Sequence, residues 1–507
     1  MPRLRSLTAA ILLAGLAAPA AAQITTAEVS GGTVAGTVQG GVAVFKGIPF
    51  AAPPLGTLRW ASPAPVGPWS GTRQAVQFGP PCIQDRSMMQ LMGLAGSPSE
   101  DCLYLNVWTP AKAKDEKLPV MVWIYGGGFA GGATGAPLYD GTKLAEKGVI
   151  VVSVAYRLGA FGFLAHPELA RESGHGSGNY GLEDQIAGLE WVRDNIAQFG
   201  GDPDNVTIFG ESAGGIAVSM LAASPLAKGL FAKAISESGG NFTPPRQGVE
   251  QQGQAFLAAI GAADIAAARA LPAETIQAGP GASAMGGFWP NADGYVLPDD
   301  QFVLYSQGRF NDTPVLIGTN SNEGAMFVPG PVSPEQFATN VRAQYGASAD
   351  ALLAVYPHAT PEQALQSSRD VFRETSFAWP TWAWARLQTE KGRHPAYVYY
   401  FDVRAPEQPD GSNHASEMPY VFGNLDIPTL GGSRPDKPTS DQMMSYWTNF
   451  AKTGNPHGPG VPEWPAFTVE AQQVRLIGTS PGIAVIPNLP QLRAWEEHYA
   501  GQRAAND

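Results

Sequence analysis

Cysteine is almost missing from this 507-residue chain, which holds only Cys82 and Cys102. Two thiols without a nearby histidine leave a tetrahedral zinc site half empty, so no metal site is expected. Charged residues are scarce as well, at 15% against 44% hydrophobic, a balance that excludes intrinsic disorder. Basic side chains are the minority among them, 32 against 44 acidic, and the net charge of −12 repels phosphates, so no nucleic-acid partner is expected. Internal repeats and low-complexity blocks are absent. The 60 glycines and 44 prolines follow no collagen period and read as many tight turns and long ordered loops. Long apolar runs are missing except at the start, where residues 7–22 follow Arg3 and Arg5 and end in Ala20-Ala21-Ala22. A basic start, a short apolar stretch and a small-residue ending describe a secretory signal peptide over residues 1–22, followed by a single domain over 23–507. The run is short for a membrane anchor. With no second one, the product is expected to be exported, periplasmic or secreted, without stable membrane insertion once the signal is removed.

In an exported chain an isolated cysteine pair favours a disulfide. Bridging Cys82 and Cys102 closes a loop of about 20 residues, worth on the order of 3 kcal/mol. Downstream, apolar β-type runs alternate with helical patterns. Glycine-punctuated residues 33–50 suggest a hairpin, and residues 103–108, 120–125, 149–155 and 206–209 read as strands. The second and third of these strands are nearly continuous in apolar residues, as expected for strands buried on both faces. Residues 181–199 read as a helix, with Leu182, Ile186, Leu189, Val192 and Ile196 at helical spacing. Later strands are expected at 314–317, 396–401 and 474–477, and the segments 239–312 and 329–393 read as helical insertions. The alternation argues for an α/β sheet covered on both faces.

Gly210-Glu211-Ser212-Ala213-Gly214 fits the G-x-S-x-G nucleophile elbow, as does Gly478-Thr479-Ser480-Pro481-Gly482. Context separates them. Ser212 stands between an apolar strand and a helix-forming run, and the Ala213 amide is free to donate to an oxyanion. Pro481 has no amide hydrogen, and too little chain follows Ser480 to supply an acid and a base. Gly126-Gly127-Gly128-Phe129 follows the strand at 120–125, and three glycines let backbone amides approach a ligand closely. The same run also satisfies G-x-G-x-x-G through Gly126, Gly128 and Gly131. A dinucleotide site wants an acid after the next strand, where Arg157 stands instead. Glycine run and elbow together favour acyl transfer.

These stretches resemble a known family. Lys46-Gly47-Ile48-Pro49-Phe50-Ala51, Glu100-Asp101-Cys102-Leu103-Tyr104-Leu105-Asn106, residues 122–129 and residues 179–215 occur in the order typical of type-B carboxylesterases, which include cholinesterases and bacterial carboxylesterases. The resemblance runs from about residue 31 to 499. It implies an α/β-hydrolase fold with a large, mostly parallel central sheet, helices on both faces and helical insertions. It implies cleavage of small-molecule carboxylic esters through an acyl-enzyme, without a cofactor, and a first disulfide matching Cys82 and Cys102. The family's acid corresponds to Glu323, in Gly318-Thr319-Asn320-Ser321-Asn322-Glu323-Gly324, where Asn322 departs from the usual Asp. The base corresponds to His414, in Gly411-Ser412-Asn413-His414-Ala415-Ser416-Glu417. Of the histidines after Glu323, it alone stands in a polar loop following the strand at 396–401. Gly127, Gly128 and Ala213 supply the oxyanion amides, and Glu211 and Ser238 are expected to support the acid or a water.

Pocket expectations follow from the same resemblance. The Cys82–Cys102 loop lacks the Trp that holds choline and carries Met88, Met89 and Met92, so choline esters are not the expected substrates. Phe372, Phe377, Trp379, Trp382 and Trp384 are candidates for gorge lining. On the acyl side the family's bulky residues correspond to Ala284 and Gly286, which leaves room for acyl groups longer than acetyl. Two other readings remain: a family member that binds without catalysing, and an amide or carbonate hydrolase on the same fold.

Overall fold

A computed structural model of the protein describes residues 23–404, 406, 408–427 and 436–506. The signal-peptide expectation, on residues 1–22, lies outside these. The main sheet has eleven strands: β1 (Thr37–Gln39), β2 (Val42–Pro49), β3 (Tyr104–Thr109), β4 (Leu118–Ile124), β5 (Ile150–Val154), β6 (Gly201–Glu211), β7 (Lys233–Glu237), β8 (Val315–Asn320), β9 (Ala396–Asp402), β10 (Gln473–Gly478) and β11 (Gly482–Val485). Their spatial order is 11-10-9-8-7-6-4-5-3-2-1. Every pair from β5 through β4, β6, β7, β8 and β9 to β10 is parallel, and the pairs at the two ends are antiparallel.

The apolar runs at β4 and β5 are fully buried because the sheet is covered on both faces, the expected α/β-hydrolase architecture. The helices that matter below are α1 (Arg86–Leu91), α2 (Tyr180–Asn195), α3 (Ala213–Ala223), α4 (Pro361–Arg373), α5 (Trp379–Lys391) and α6 (Leu489–Asn506). Helix α2 is the one expected at 181–199; its last turn tightens at Ile196–Phe199 before the left-handed Gly200. The expected hairpin is real between β1 and β2, whereas Gly32–Ala35 instead joins Thr26–Val29 and Thr72–Gln74 in a separate small sheet. The segment 239–312 is less helical than expected. Its helices are short, such as Val249–Ala259 and Ile265–Ala270, and residues 279–290, rich in glycine and proline, run as loop. Among the described residues no helix is long and apolar enough to cross a membrane.

This topology gathers loops at one place. Strands β4, β6, β8 and β9 point the same way, and the chain leaving each C-terminal end carries, in turn, the glycine run, Ser212, Glu323 and His414. Open α/β sheets build their sites at that edge.

Candidate active site

Ser212 occupies the one-residue joint between β6 and α3, with φ +56° and ψ −126°. This is left-handed, strained backbone for a residue with a side chain. The turn closes only because residue 214 is glycine: a Cβ there would sit 2.0 Å from the Ile124 carbonyl oxygen. The Ser212 amide donates to the Glu237 carbonyl on β7 at 2.9 Å, which anchors the joint to the sheet. Ser480 lies exposed in the hairpin between β10 and β11, between two strands rather than at a strand-to-helix joint.

His414 is buried and faces Ser212 and Glu323 at once. Its Nε2 lies 2.9 Å from Ser212 Oγ, and its Nδ1 lies 2.6 Å from Glu323 Oε2. Glu323 is fully buried, and its other oxygen accepts from Ser238 Oγ at 2.6 Å and from the Asn320 amide at 2.7 Å. Ser238 therefore meets Glu323. Glu211 approaches His414, with Oε1 3.2 Å from His414 Nε2. In the glycine run, Gly127 and Gly128 have φ +114° and +63°. Among the described residues the amides of Gly127, Gly128 and Ala213 donate to no protein acceptor.

Sequence reasoning missed several neighbours. Gln84, inside the loop closed by the Cys82–Cys102 disulfide, accepts from the Gly132 amide at 2.9 Å and donates to its carbonyl at 2.8 Å. That bridge ties the disulfide loop to the glycine loop, and no sequence pattern announces it. Two further buried carboxyls interact electrostatically with Glu211: Glu237, which accepts from Trp447 Nε1 at 2.8 Å, and Glu417, which accepts from Asn320 Nδ2. The nearest signal was position, since Asn320 and Glu417 fall inside the motifs that carry Glu323 and His414. Burial pushes Glu211 up to about 7, with His414 opposing and Glu323 adding. Burial pushes Glu237 up to about 8 against its Trp447 hydrogen bond, and it raises Glu417 well above the carboxylate range. Burial alone would lower His414, but Glu211 and Glu323 outweigh it and raise the imidazole above its ordinary 6.5.

The aromatic stretch divides. Phe377 stacks on His414 with ring centres 4.6 Å apart, and Phe372 stacks on Phe327, which also touches His414. Trp379, Trp382 and Trp384 are buried and pack elsewhere, against Tyr499, Arg386 and Tyr305 respectively, so they are core. Met88 borders the glycine loop at Gly131, while Met89 is core. Beside the glycine run stands Met285, 56% exposed, whose Cγ lies 2.9 Å from where a Cβ on Gly128 would stand. Trp289 packs edge-on against Phe129 at 4.8 Å, behind that loop.

Comparison with known proteins agrees with the α/β-hydrolase fold. Residues 19–495 match the model of the carboxylesterase family. The fumonisin B1 esterase of Sphingopyxis macrogoltabida is 36% identical over 94% of this chain and 92% of its own length. The para-nitrobenzyl esterase of Bacillus subtilis is 37% identical over 88% of this chain and 93% of its own. A solved thermophilic PNB esterase superposes with TM-score 0.83 at 36% identity, covering 93% of this chain and 100% of that one.

Proposed function

The chain belongs to the carboxylesterase family and is a carboxylic ester hydrolase, and from that premise we propose that it works through an acyl-enzyme on Ser212, with His414 as base and Glu323 as the acid that orients it. The observation that carries this reading is the unbroken buried chain from Ser212 Oγ through both nitrogens of His414 to Glu323, at 2.9 and 2.6 Å.

A serine hydroxyl is a weak nucleophile at its free pKa, so Nε2 must take its proton as Oγ attacks the ester carbonyl. Glu323 holds the Nδ1–H tautomer and stabilises the imidazolium that forms. The carbonyl oxygen becomes an oxyanion, which the amides of Gly127, Gly128 and Ala213 receive; one such donor is typically worth about 3 kcal/mol in the transition state. Collapse breaks the ester C–O bond, and the imidazolium returns its proton to the departing alcohol. Water, deprotonated by the same Nε2, then attacks the acyl-enzyme and releases the acid and free Ser212. Glu211, near half-protonated at neutral pH, adds negative charge beside Nε2 as the imidazolium forms.

We read residues 23–507 as one domain, because the buried apolar side chains form a single cluster from Ala27 to Tyr499. Residues 1–22 are read as an export signal, in keeping with a disulfide that needs an oxidising compartment. The acyl side is read as open, bordered by Met285 rather than by an aromatic.

Ser212→Ala tests the triad. It should abolish hydrolysis of p-nitrophenyl butyrate and labelling by a fluorophosphonate, with an unchanged melting midpoint. Retained turnover overturns the assignment.

A further inference from the structure

Helix α4 does not run straight into α5. Between them lies a single wider π-helical turn, Glu374–Ala378, a feature that recurs at functional sites. Both sides of this turn reach the machinery just described. On one side Phe377 lies nearly parallel to the His414 ring, 15° apart. On the other side is Arg373, 3% exposed. Its Nη1 donates to the Ser321 carbonyl at 3.0 Å and to the Tyr400 hydroxyl oxygen at 3.1 Å, and its Nη2 donates to Glu374 Oε1 at 2.7 Å.

Ser321 stands two residues before Glu323. The end of α4 also touches the chain just after the acid, where a Cβ on Gly324 would come within 2.2 Å of the Arg369 carbonyl oxygen. The loop that presents Glu323 is thus gripped on both sides by the end of one helix. That helix end is itself anchored. Glu374 is fully buried and accepts from Asn488 Nδ2 at 2.6 Å and from the Tyr356 hydroxyl. The Tyr356 oxygen in turn accepts from Trp495 Nε1 on α6 at 2.7 Å.

A buried ion pair is by itself weak evidence of stabilisation, because desolvation offsets its attraction. Here one arm of the guanidinium holds the neighbouring carboxylate, and the other holds a backbone carbonyl of the acid loop. A lysine, being a point charge, cannot serve both in this geometry. Resting on the Ser212–His414–Glu323 reading, we propose that Arg373 is a positioning residue for ester hydrolysis: it fixes the turn that presents Glu323, while the same π-helical turn lays Phe377 against the base, so that acid and base are held in register by one segment.

Arg373→Met alone strands Glu374 as an unpaired buried carboxylate and risks misfolding. The test is therefore the pair Arg373→Met/Glu374→Gln, which removes both charges and leaves an amide oxygen to accept from Asn488 and an amide nitrogen facing the Tyr356 hydroxyl oxygen. With p-nitrophenyl butyrate, kcat should fall roughly 10- to 100-fold, the scale of a misplacement approaching ~1 Å, and KM should stay within about twofold. The acid limb of kcat/KM should also move to lower pH, because a loosened Glu323 supports the imidazolium less. Glu211, the other carboxylate at His414, is untouched, so that displacement reports Glu323. Parent-like kcat in the folded double variant overturns the proposal, as does a loss confined to KM or a lower kcat with an unmoved acid limb. Arg373→Lys, which retains the buried charge, is judged by the same acid limb and supplies the answer if the double variant does not fold. Ser212→Ala is assayed beside them. Its inactivity with a parent-like double variant refutes the positioning role alone, whereas turnover by Ser212→Ala refutes the triad and this inference together.

Discussion

Glu237→Gln should make the protein more stable, by an amount that grows with pH. Glu237 is 0% exposed at the end of β7; one carboxyl oxygen accepts from Trp447, and the other has no partner among the described residues. Burial lifts its pKa from 4.5 to about 8. The sign follows from linkage. A group whose folded pKa is raised contributes stability that is fully present below the unfolded pKa and is lost as pH climbs to the folded one. Between pH 5 and 7.5 the native protein must therefore give up roughly 3 kcal/mol that an amide, the uncharged isostere, does not give up. At ~2 cal/mol/K of unfolding entropy per residue, a chain of this size shifts its midpoint by about 1 °C per kcal/mol. Differential scanning at a fixed rate should then show Glu237→Gln melting close to the parent at pH 5 and about 3 °C above it at pH 7.5. Glu211 and Glu417 titrate in both proteins, and because they repel a charged Glu237, its replacement eases their ionisation as well and acts in the same direction. Midpoint curves that run parallel across this window would refute the claim that Glu237 is held protonated by burial.

Other outcomes test the site more directly. The acid limb of kcat/KM should fall above pH 6.5, because Glu211 and Glu323 outweigh burial at His414, and Glu211→Gln should move it down; an upward or absent shift contradicts the electrostatic role of Glu211. Ser238→Ala removes a donor 2.6 Å from buried Glu323 but leaves the Asn320 amide on the same oxygen. A hydrogen bond to a charged group is worth about 1.5–3 kcal/mol, so kcat should drop at least about tenfold, and unchanged kcat in steady-state assays would show that Asn320 suffices. On the acyl side, kcat/KM across p-nitrophenyl esters should hold or rise from acetyl to butyryl and hexanoyl, by up to ~0.8 kcal/mol per methylene. Met285→Phe should impose a drop that Met285→Ala does not. Gly286 is unsuited to this test because its φ of +74° would strain any side chain placed there.

Much of the molecule was legible in the residues. The buried strands announce themselves as continuous apolar runs, because a strand covered on both faces has no position for a polar side chain. The elbow is legible because its backbone leaves no room for side chains at the flanking positions, and the family motifs carry Glu323 and His414 at fixed places in the chain. What stayed hidden depends on contacts between distant segments. Nothing near Gln84 in sequence says that it bridges to Gly132, and nothing in the run Phe372 to Trp384 says that Phe377 turns to His414 while the tryptophans enter the core. The π-helical turn decides that, and helical periodicity does not reveal it. Likewise Glu237 and Glu417 are ordinary carboxylates in the sequence. Only the packing of β6, β7, β8 and the His414 loop brings them together with Glu211 and Glu323 out of water, and desolvation, a property of the whole fold, raises the pKa of Glu211, Glu237 and Glu417.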